Sequence, residues 1–376
     1  MKILIVGGGV GGLALAGFIK DKAEVTVVDT APKWGDIGFA IALWGNGQKI
    51  LEKLGILHEV QKESYEIPWN AEADEKGRVL KILDFAMFRK HGPTIVVTRT
   101  ELHMALVRRA EQGVNVCFDM TVKKISQNGE KVDVVFSDDR RDTFDVVVGA
   151  DGIHSKVREL VFGTGYLKPY GYTVWSFWTP KGFSYPRGVI ELSDAGSIYF
   201  VYPLEDKAVI MLATAKKDTG INNPASKEML HRVFADFKGS VGHLIDAIED
   251  PAHIFRDQLS YVDMKDWYKG RVVLLGDAQH ASSPLTGMGA SMALEDAFVL
   301  ADELGKVNVS DIPFALRRYS KRRGERLKNF HKMSNLIESW IMVKSPLLSK
   351  MRDVVIRAVP MSYFTRKIER FLDHEL

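Results

Sequence analysis

The segment from Lys2 to Asp29 constrains the fold of this chain more than any other. An apolar run is followed by a glycine-rich turn, a helical pattern and a second apolar run that ends at Asp29. Glycines at the spacing Gly-x-Gly-x-x-Gly permit a tight bend close to a pyrophosphate, and a terminal acid can bind a ribose. The residues of the turn are Gly7, Gly9, Val10, Gly11 and Gly12. The pattern predicts a βαβ unit that binds a dinucleotide.

A second glycine turn follows far downstream. The apolar run from Val272 to Leu275 ends at Gly276 and Asp277, whose carboxylate could accept hydrogen bonds from a polyol at the end of a strand. Glycines that open the next helical pattern, from about residue 290 to 304, would let its amide groups face an anion such as reduced flavin. This second turn contains Pro284, Gly287, Gly289 and Ala290. Two such turns predict one large cofactor with two ends.

Two shorter motifs lie between these turns. The apolar run that begins at Asp145 ends at Asp151, and Ser155 and Arg158 follow at the start of a helical pattern. Arg99 stands between an apolar run and another helical pattern, a position at which an arginine of a nucleotide-binding fold often meets phosphate. Both motifs therefore add candidate cofactor contacts.

The four motifs, in this order, resemble those of the class A (single-component) flavoprotein monooxygenases, the family of para-hydroxybenzoate and salicylate hydroxylases. The resemblance extends from Lys2 to about Pro360. It implies an α/β fold with a Rossmann-like FAD-binding domain built on a parallel sheet, an α+β substrate domain with an antiparallel sheet, and C-terminal helices.

The resemblance also implies the residues that contact FAD. The first turn and Asp29 would hold the adenosine half, together with the backbone of Val122 at the end of a strand from Val114. Arg99 would approach the pyrophosphate and ribityl chain, and Asp277 would bind the ribityl hydroxyls. Asp151 and Arg158 would serve FAD and a transient nicotinamide donor. Beside the isoalloxazine would lie Pro284, Gly287, Gly289 and Ala290.

The reaction that the resemblance implies has three steps. NADH or NADPH reduces FAD, the reduced flavin and O₂ form a C4a-hydroperoxide, and this species transfers one oxygen atom to a small aromatic or polycyclic substrate. The cofactor carries this chemistry. We therefore assign no catalytic side chain from the sequence.

Two of the positions that depart from the usual family pattern are Trp44 and Ser176. Trp44 stands where a proline is common, within the glycine-containing segment 35–47, which we expect to shift together with the flavin when substrate binds. Ser176 stands where salicylate-type members often carry an arginine. The second departure argues against a carboxylate substrate.

Composition restricts the partners. A net charge of +3 favours neither nucleic acid nor a membrane surface, and no apolar run has membrane-spanning length. The basic run from Arg317 to Arg323 is interpreted as one solvated helix face. The single cysteine, Cys117, excludes an intrachain disulfide framework and fits a reducing cytoplasm, and the scattered histidines predict no metal site. We expect a monomer or homodimer that binds a small organic substrate and O₂.

Strand and helix patterns predict how the chain is divided. The FAD-binding domain would comprise residues 1–68, 95–165 and 270–330, the substrate domain residues 69–94 and 166–269, and the C-terminal helices residues 331–376. The predicted strands of the substrate domain are Arg78–Phe85, Val189–Leu192, Ser197–Tyr202 and Ala208–Ala213, and the predicted helical segments are Asn222–Phe255 and Pro346–Pro360. Alternation places Tyr199 and Val201 on one sheet face and Phe200 and Tyr202 on the other, without indicating which faces the flavin.

Two other functions stay open at this point. A flavin-dependent reductase, dehydrogenase or halogenase would keep the cofactor and change the chemistry. A non-catalytic binding protein on the same fold is the second alternative, and a colourless purified protein would favour it.

Overall fold

The computed structural model describes residues 1–35, 38–216, 225–237, 241–374 and 376, with the backbone alone at residue 191. Within these ranges the strands are β1 (Lys2–Val6), β2 (Glu24–Val28), β3 (Ala40–Leu43), β4 (Ser64–Glu66), β5 (Trp69–Ala73), β6 (Val79–Asp84), β7 (Ile95–Thr98), β8 (Val114–Cys117), β9 (Val122–Gln127), β10 (Val132–Phe136), β11 (Arg141–Phe144), β12 (Val146–Gly149), β13 (Leu167–Trp178), β14 (Val189–Asp194), β15 (Ser197–Pro203), β16 (Ala208–Thr214), β17 (Phe255–Val262), β18 (Tyr268–Lys269) and β19 (Val272–Leu274). The α-helices of the described chain are α1 (Val10–Ile19), α2 (Gly45–Leu54), α3 (Leu57–Lys62), α4 (Arg99–Ala110), α5 (Lys156–Phe162), α6 (Lys227–Val233), α7 (Gly242–Asp246), α8 (Asp277–His280), α9 (Gly289–Leu304), α10 (Ile312–Ile341), α11 (Pro346–Ala358) and α12 (Met361–Leu372).

A parallel sheet brings the sequence motifs together. Its strand order is β18–β19–β12–β1–β2–β8, and only the pairing of β18 with β19 is antiparallel among its described strands. The apolar run of β1 is buried, as expected of a strand within a parallel sheet. Because β1, β12 and β19 are neighbours and run in the same direction, Gly7, Asp151 and Gly276 follow their carboxyl ends side by side. This sheet confirms the parallel arrangement predicted for the cofactor domain.

A second sheet has the order β17–β13–β16–β15–β14–β5–β6. The predicted strands are confirmed with small changes of boundary, as β6, β14, β15 and β16. The sheet is antiparallel except for the pairing of β14 with β5. The sequence analysis missed β5, the long strand β13 and β17, although β13 contains the aromatic motif around Ser176.

The two faces of this second sheet have different neighbours. Tyr199 and Val201 pack with Trp175 and Phe177 in a separate apolar cluster that includes α6 and α7. Phe200 joins the main core, and Tyr202 packs against it. Tyr202 lines the cavity between the two sheets, whereas Tyr199 and Val201 lie on the opposite face of the second sheet.

Two secondary-structure predictions are wrong in part. The strand predicted from Val114 to Val122 is two strands, β8 and β9, in different sheets, because Asp119 has a left-handed backbone with φ of 53° between them. The helical segment predicted from Asn222 to Phe255 contains the short helices α6 and α7, and its last residue already belongs to β17. Residues 222–224 and 238–240 of that segment lie outside the described residues.

The interpretation of the basic run as a solvated face is wrong for Arg323. Arg317 is exposed, but Arg323 is 0% exposed on α10 and pairs with two acidic residues of α9. The reason is helical periodicity, because Arg323 shares the buried face of α10 with Tyr319. The predicted C-terminal helix is confirmed as α11, and no helix in the described part of the chain is long and apolar enough to cross a membrane.

Candidate cofactor and substrate cavity

A cavity of about 490 Å³ lies between the parallel sheet and the second sheet. The predicted site residues that line it are Gly9, Val10, Gly11, Arg99, Asp277, Pro284, Gly287, Gly289 and Ala290. The remaining predicted residues, Gly7, Gly12, Asp29, Val122, Asp151 and Arg158, are not among its described lining residues. The cavity thus unites the two glycine turns, which are far apart in the sequence.

Two helix N-termini open onto this cavity. Helix α1 begins after Gly9 and helix α9 begins at Gly289, and neither helix has a side-chain cap. The first amide groups of a helix lack partners within the helix and carry the positive end of its dipole. The first amide groups of α1 and α9 can therefore donate hydrogen bonds to an anionic or carbonyl group in the cavity.

The glycines of the first turn have different physical roles. A Cβ atom on Gly12 would lie 2.0 Å from the carbonyl oxygen of Gly7, and one on Gly7 would lie 2.4 Å from that of Ala150. Gly7 also has a backbone φ of +104°, a value that residues with a side chain rarely adopt. By contrast, a Cβ atom on Gly9 or Gly289 would meet no described atom within 4 Å. Gly7 and Gly12 are required by the turn itself, whereas Gly9 and Gly289 keep space open in the cavity.

Arg99 and Asp277 supply the charged side chains among the described lining residues. Arg99 begins α4, and its aliphatic stem packs beside Gly38. Asp277 begins the short helix α8 and is exposed to the cavity. One cation and one carboxylate are thus available for the phosphate and polyol parts of a dinucleotide.

Asp29 is held by backbone amide groups at the end of β2. Its carboxylate accepts hydrogen bonds from Gly8, at 2.6 Å, and Ala31, at 2.8 Å. The ring of Trp34 lies against Gly8, where a Cβ atom would come within 2.3 Å of it. Asp29 therefore stabilises the first glycine turn, and its contact with a ribose stays a prediction. The same is true for Val122, whose side chain is 1% exposed.

Asp151 and Arg158 organise backbone beside the cavity. The carboxylate of Asp151 accepts hydrogen bonds from the first amide groups of α5, at Lys156 and Val157, and burial raises its pKa. The buried guanidinium of Arg158 donates to the carbonyl oxygen of Ala278, at 2.9 Å. Arg158 thus connects α5 to α8, which begins at Asp277, and a direct contact of Asp151 or Arg158 with cofactor stays a prediction.

A buried ionic cluster behind the second turn was missed by the sequence analysis. Arg323 donates to Asp296 and to Glu295, each at 2.6 Å, and all three side chains are at most 1% exposed. Burial alone would raise the pKa of Asp296, but the charge of Arg323 and the contact with His280 lower it below its usual value. The available signal was the acidic pair Glu295-Asp296 within the otherwise apolar stretch from residue 292 to 301.

This cluster reaches the cavity loops on two sides. Asp296 accepts a hydrogen bond from the amide of Gly276, at 3.1 Å, and contacts the ring of His280. On the other side, the side chain of Asn46 donates to Glu295, at 2.6 Å. The cluster therefore fixes α9, the loop after β19 and the start of α2 in one arrangement.

A second buried network borders Pro284. The hydroxyl of Tyr172 donates to Glu338, at 2.9 Å, and lies 3.2 Å from the hydroxyl of Ser283, a residue that lines the cavity. The amide of Ser283 donates to Tyr170. Burial raises the pKa of Glu338, which favours its protonated form. This network connects the second sheet, the second glycine turn and α10.

A model of the FAD-binding domain family matches residues 1–333 of the chain. The chain belongs to the FAD-binding domain family. The resemblance to class A flavoprotein monooxygenases is confirmed, and the protein is an FAD-dependent monooxygenase. The described residues contain no group of three or more histidine, cysteine or acidic side chains arranged for a metal ion.

The relatives of this FAD-dependent enzyme have similar lengths. A putative FAD-dependent monooxygenase, YetM of Bacillus subtilis (strain 168), is 27% identical over 347 residues, which cover 89% of this chain and 92% of YetM. The 6-hydroxynicotinate 3-monooxygenase of Pseudomonas fluorescens is 28% identical over 353 residues, which cover 89% and 90% of the two chains. Klebsiella pneumoniae HpxO, solved with FAD and uric acid, has the same fold, with a TM-score of 0.87 at 23% identity over 99% of this chain and 96% of HpxO.

Proposed function

We propose that the enzyme uses NADH or NADPH to reduce its FAD and inserts one oxygen atom of O₂ into a small aromatic or polycyclic organic substrate. The oxygen-transfer route would be the one implied by the family resemblance. The observation that carries the proposal is one shared cavity, which has helix N-termini on one wall and an apolar sheet face on the other. Such a cavity suits a charged cofactor beside an apolar substrate.

The described residues fit FAD. The open space before Gly9 and Gly289 admits a group that a Cβ atom would exclude, and the amide groups of α1 and α9 face it. Arg99 would hold the pyrophosphate and Asp277 the ribityl hydroxyls. When bound, FAD supplies the electron transfer and oxygen activation that side chains lack.

The protein's own contribution would be charge stabilisation and water exclusion. The first amide groups of α9 would stabilise negative charge on the bound cofactor. The opposite wall, which includes Val174, Val209 and Met211, would exclude water from the reacting atoms. The sequence contains one turn with the Gly-x-Gly-x-x-Gly spacing, and we assign that turn to FAD. The nicotinamide donor would therefore bind transiently in the open cavity.

Isotope labelling tests the proposal directly. The FAD-loaded enzyme would receive NADH or NADPH under ¹⁸O₂ with a panel of phenols, quinolones, polyketides and tetracyclines. We expect one product that contains a single ¹⁸O atom, and flavin released into the supernatant by acid precipitation. Stoichiometric reduction of a substrate without oxygen incorporation would instead favour a reductase, and a colourless protein that does not take up FAD would favour a binding protein.

Substrate control of flavin reduction gives a second measurement on the same reaction. Trp44 packs against Phe85 and Phe88, and its ring nitrogen lies 3.7 Å from the Cβ position of Gly287. The segment before α2 is therefore in contact with the second glycine turn, although residues 36 and 37 of that segment lie outside the described chain. We expect substrate to accelerate anaerobic flavin reduction, as measured by stopped-flow absorbance, and an unchanged rate would contradict this coupling.

A further inference from the structure

The substrate side of the cavity is formed by alternate residues of neighbouring strands. Val174 and Ser176 of β13 line it, and the register pairs Ser176 with Met211 of β16 and with Phe255 of β17. Tyr202 of β15 lines it beside Val209. Most of this wall is apolar, and its described hydroxyl-bearing residues are Ser176 and Tyr202.

The charges of the described cavity lining lie on the cofactor side. Arg99 and Asp277 belong to α4 and α8, which follow strands of the other sheets. Lys207, in the turn between β15 and β16, and Arg256, in β17, are not among the described lining residues. Lys207 lies over the ring of Trp178, 4.1 Å from its centre, and Arg256 is paired in register with Trp175, whose side chain belongs to the opposite face.

We propose that the enzyme selects an uncharged, largely apolar ring compound that presents a single hydrogen-bonding group to Ser176. This inference rests on the proposed function, because it assigns the wall opposite the cofactor to the substrate. A carboxylate placed on this wall would lose its water without gaining a cation from the described residues that line it, which is unfavourable. The proposed class therefore differs from the carboxylate that is named for the 6-hydroxynicotinate 3-monooxygenase.

Matched ligand pairs test the inference by binding alone. The FAD-loaded enzyme would be titrated with 2-naphthol and a hydroxynaphthoate, and with 4-hydroxyquinoline and its carboxylate, while the flavin absorbance spectrum reports binding. We expect each neutral compound to bind about tenfold or more tightly than its carboxylate partner, a difference of about 1.4 kcal/mol. Equal or tighter binding of the carboxylates would overturn the inference, as would failure of both neutral compounds to bind.

Two variants of one residue separate charge from size. Ser176→Arg should strengthen binding of the carboxylates and weaken binding of the neutral compounds, so that the preference narrows or reverses. Ser176→Leu adds volume without charge and should weaken binding of the carboxylates and of the hydroxyl-bearing compounds. Identical effects of the two variants on both ligand classes would count against a site at Ser176. The ¹⁸O measurement on the wild-type enzyme reports separately on whether oxygen transfer itself occurs.

Discussion

At the scale of single residues, the glycine turns combine two requirements that one sequence pattern cannot distinguish. Gly12 is needed because a Cβ atom at this position would collide with the carbonyl oxygen of Gly7. Gly9 is not needed by any described neighbour, and its backbone is extended with φ of −75° and ψ of −172°, which other residues adopt. Its remaining role is to leave room for a bound group.

This difference predicts that alanine at position 9 weakens FAD binding, whereas alanine at position 12 lowers the stability of the apoprotein. Gly9→Ala should change the free energy of unfolding of the apoprotein by less than about 1 kcal/mol, because it meets no steric conflict. The same variant should weaken FAD binding by about tenfold or more, since the methyl group occupies cofactor space. Fluorescence titration with FAD and urea unfolding of the apoprotein would measure the two quantities.

Gly12→Ala serves as the matched variant. Its methyl group would collide with backbone, so the apoprotein should lose about 1–3 kcal/mol of unfolding free energy. Wild-type FAD affinity in Gly9→Ala would show that Gly9 does not face the cofactor. Wild-type stability in Gly12→Ala would show that the turn relaxes more easily than its geometry implies.

The residues that sequence analysis predicted and missed differ in how local their signals are. Gly9 and Asp277 follow apolar runs and Gly289 opens a helical pattern, so their predicted roles could be inferred from adjacent residues. The roles of Tyr172 and Glu338 depend on a contact between residues far apart in the sequence. The contact predicted between Arg158 and the cofactor stays a prediction, and the hydrogen bond from Arg158 to Ala278 became visible only in three dimensions.

At the scale of elements, helices α9 and α10 hold the cavity loops through buried charge. Arg323 joins the two helices, and its partner Asp296 binds the amide of Gly276. A buried ion pair of this kind need not raise stability above that of an apolar pair, but removal of one partner leaves a buried charge uncompensated. The arrangement of the second glycine turn therefore depends on all members of the cluster.

Arg323→Met should consequently lower the free energy of unfolding by about 3–5 kcal/mol. The variant leaves Glu295 paired with Arg326, whereas Asp296 loses its arginine partner and keeps only its described contact with His280. Arg317→Met, on the exposed face of the same helix, should stay within about 0.5 kcal/mol of wild type. Urea unfolding of both variants measures the difference, and equal stabilities would contradict the structural importance of the cluster.

Sequence patterns predicted elements well where one periodicity dominated. The apolar runs of β1 and β12 and the helical pattern of α9 are local properties. The split between β8 and β9 depends instead on a left-handed residue, Asp119, which interrupts an otherwise strand-like composition. The pairing of β13 with β17 joins distant segments and leaves no local signal.

At the scale of the whole molecule, the C-terminal helices are attached to the second sheet through ionisable groups. Arg352 of α11 donates to the carbonyl oxygens of Ser193 and Ile341. Nearby in β5, burial raises the pKa of Glu72 to about 7, although the charge of Arg352 opposes this shift. The stability of the molecule should therefore depend on the protonation of Glu72.

The direction follows from proton binding. An unfolded glutamate has a pKa of about 4.3, so between this value and about pH 7 the folded state binds more protons than the unfolded state. The contribution of Glu72 to the free energy of unfolding is thus fully present below about pH 4.3 and decreases as the pH rises towards 7. Glu72→Gln should remove that decrease, and its stability relative to wild type should improve by about 1–3 kcal/mol between pH 4 and pH 8.

Urea unfolding of the FAD-loaded enzyme across this pH range would measure the effect. Glu52→Gln, at an exposed position on α2, provides the control for the substitution itself. A constant difference between Glu72→Gln and wild type at all pH values would contradict a raised pKa for Glu72.

The two walls of the cavity come from different sheets, and this separation affects how the enzyme can diverge. The cofactor wall is built from glycine turns in which small changes collide with backbone or fill cofactor space. The other wall presents alternate positions of β13, β15 and β16, whose intervening residues pack on α6 and α7. Substitutions at positions such as Ser176 and Met211 can therefore accumulate without disturbing either the back of that sheet or the FAD site, so substrate preference can change in lineages that retain the same cofactor chemistry.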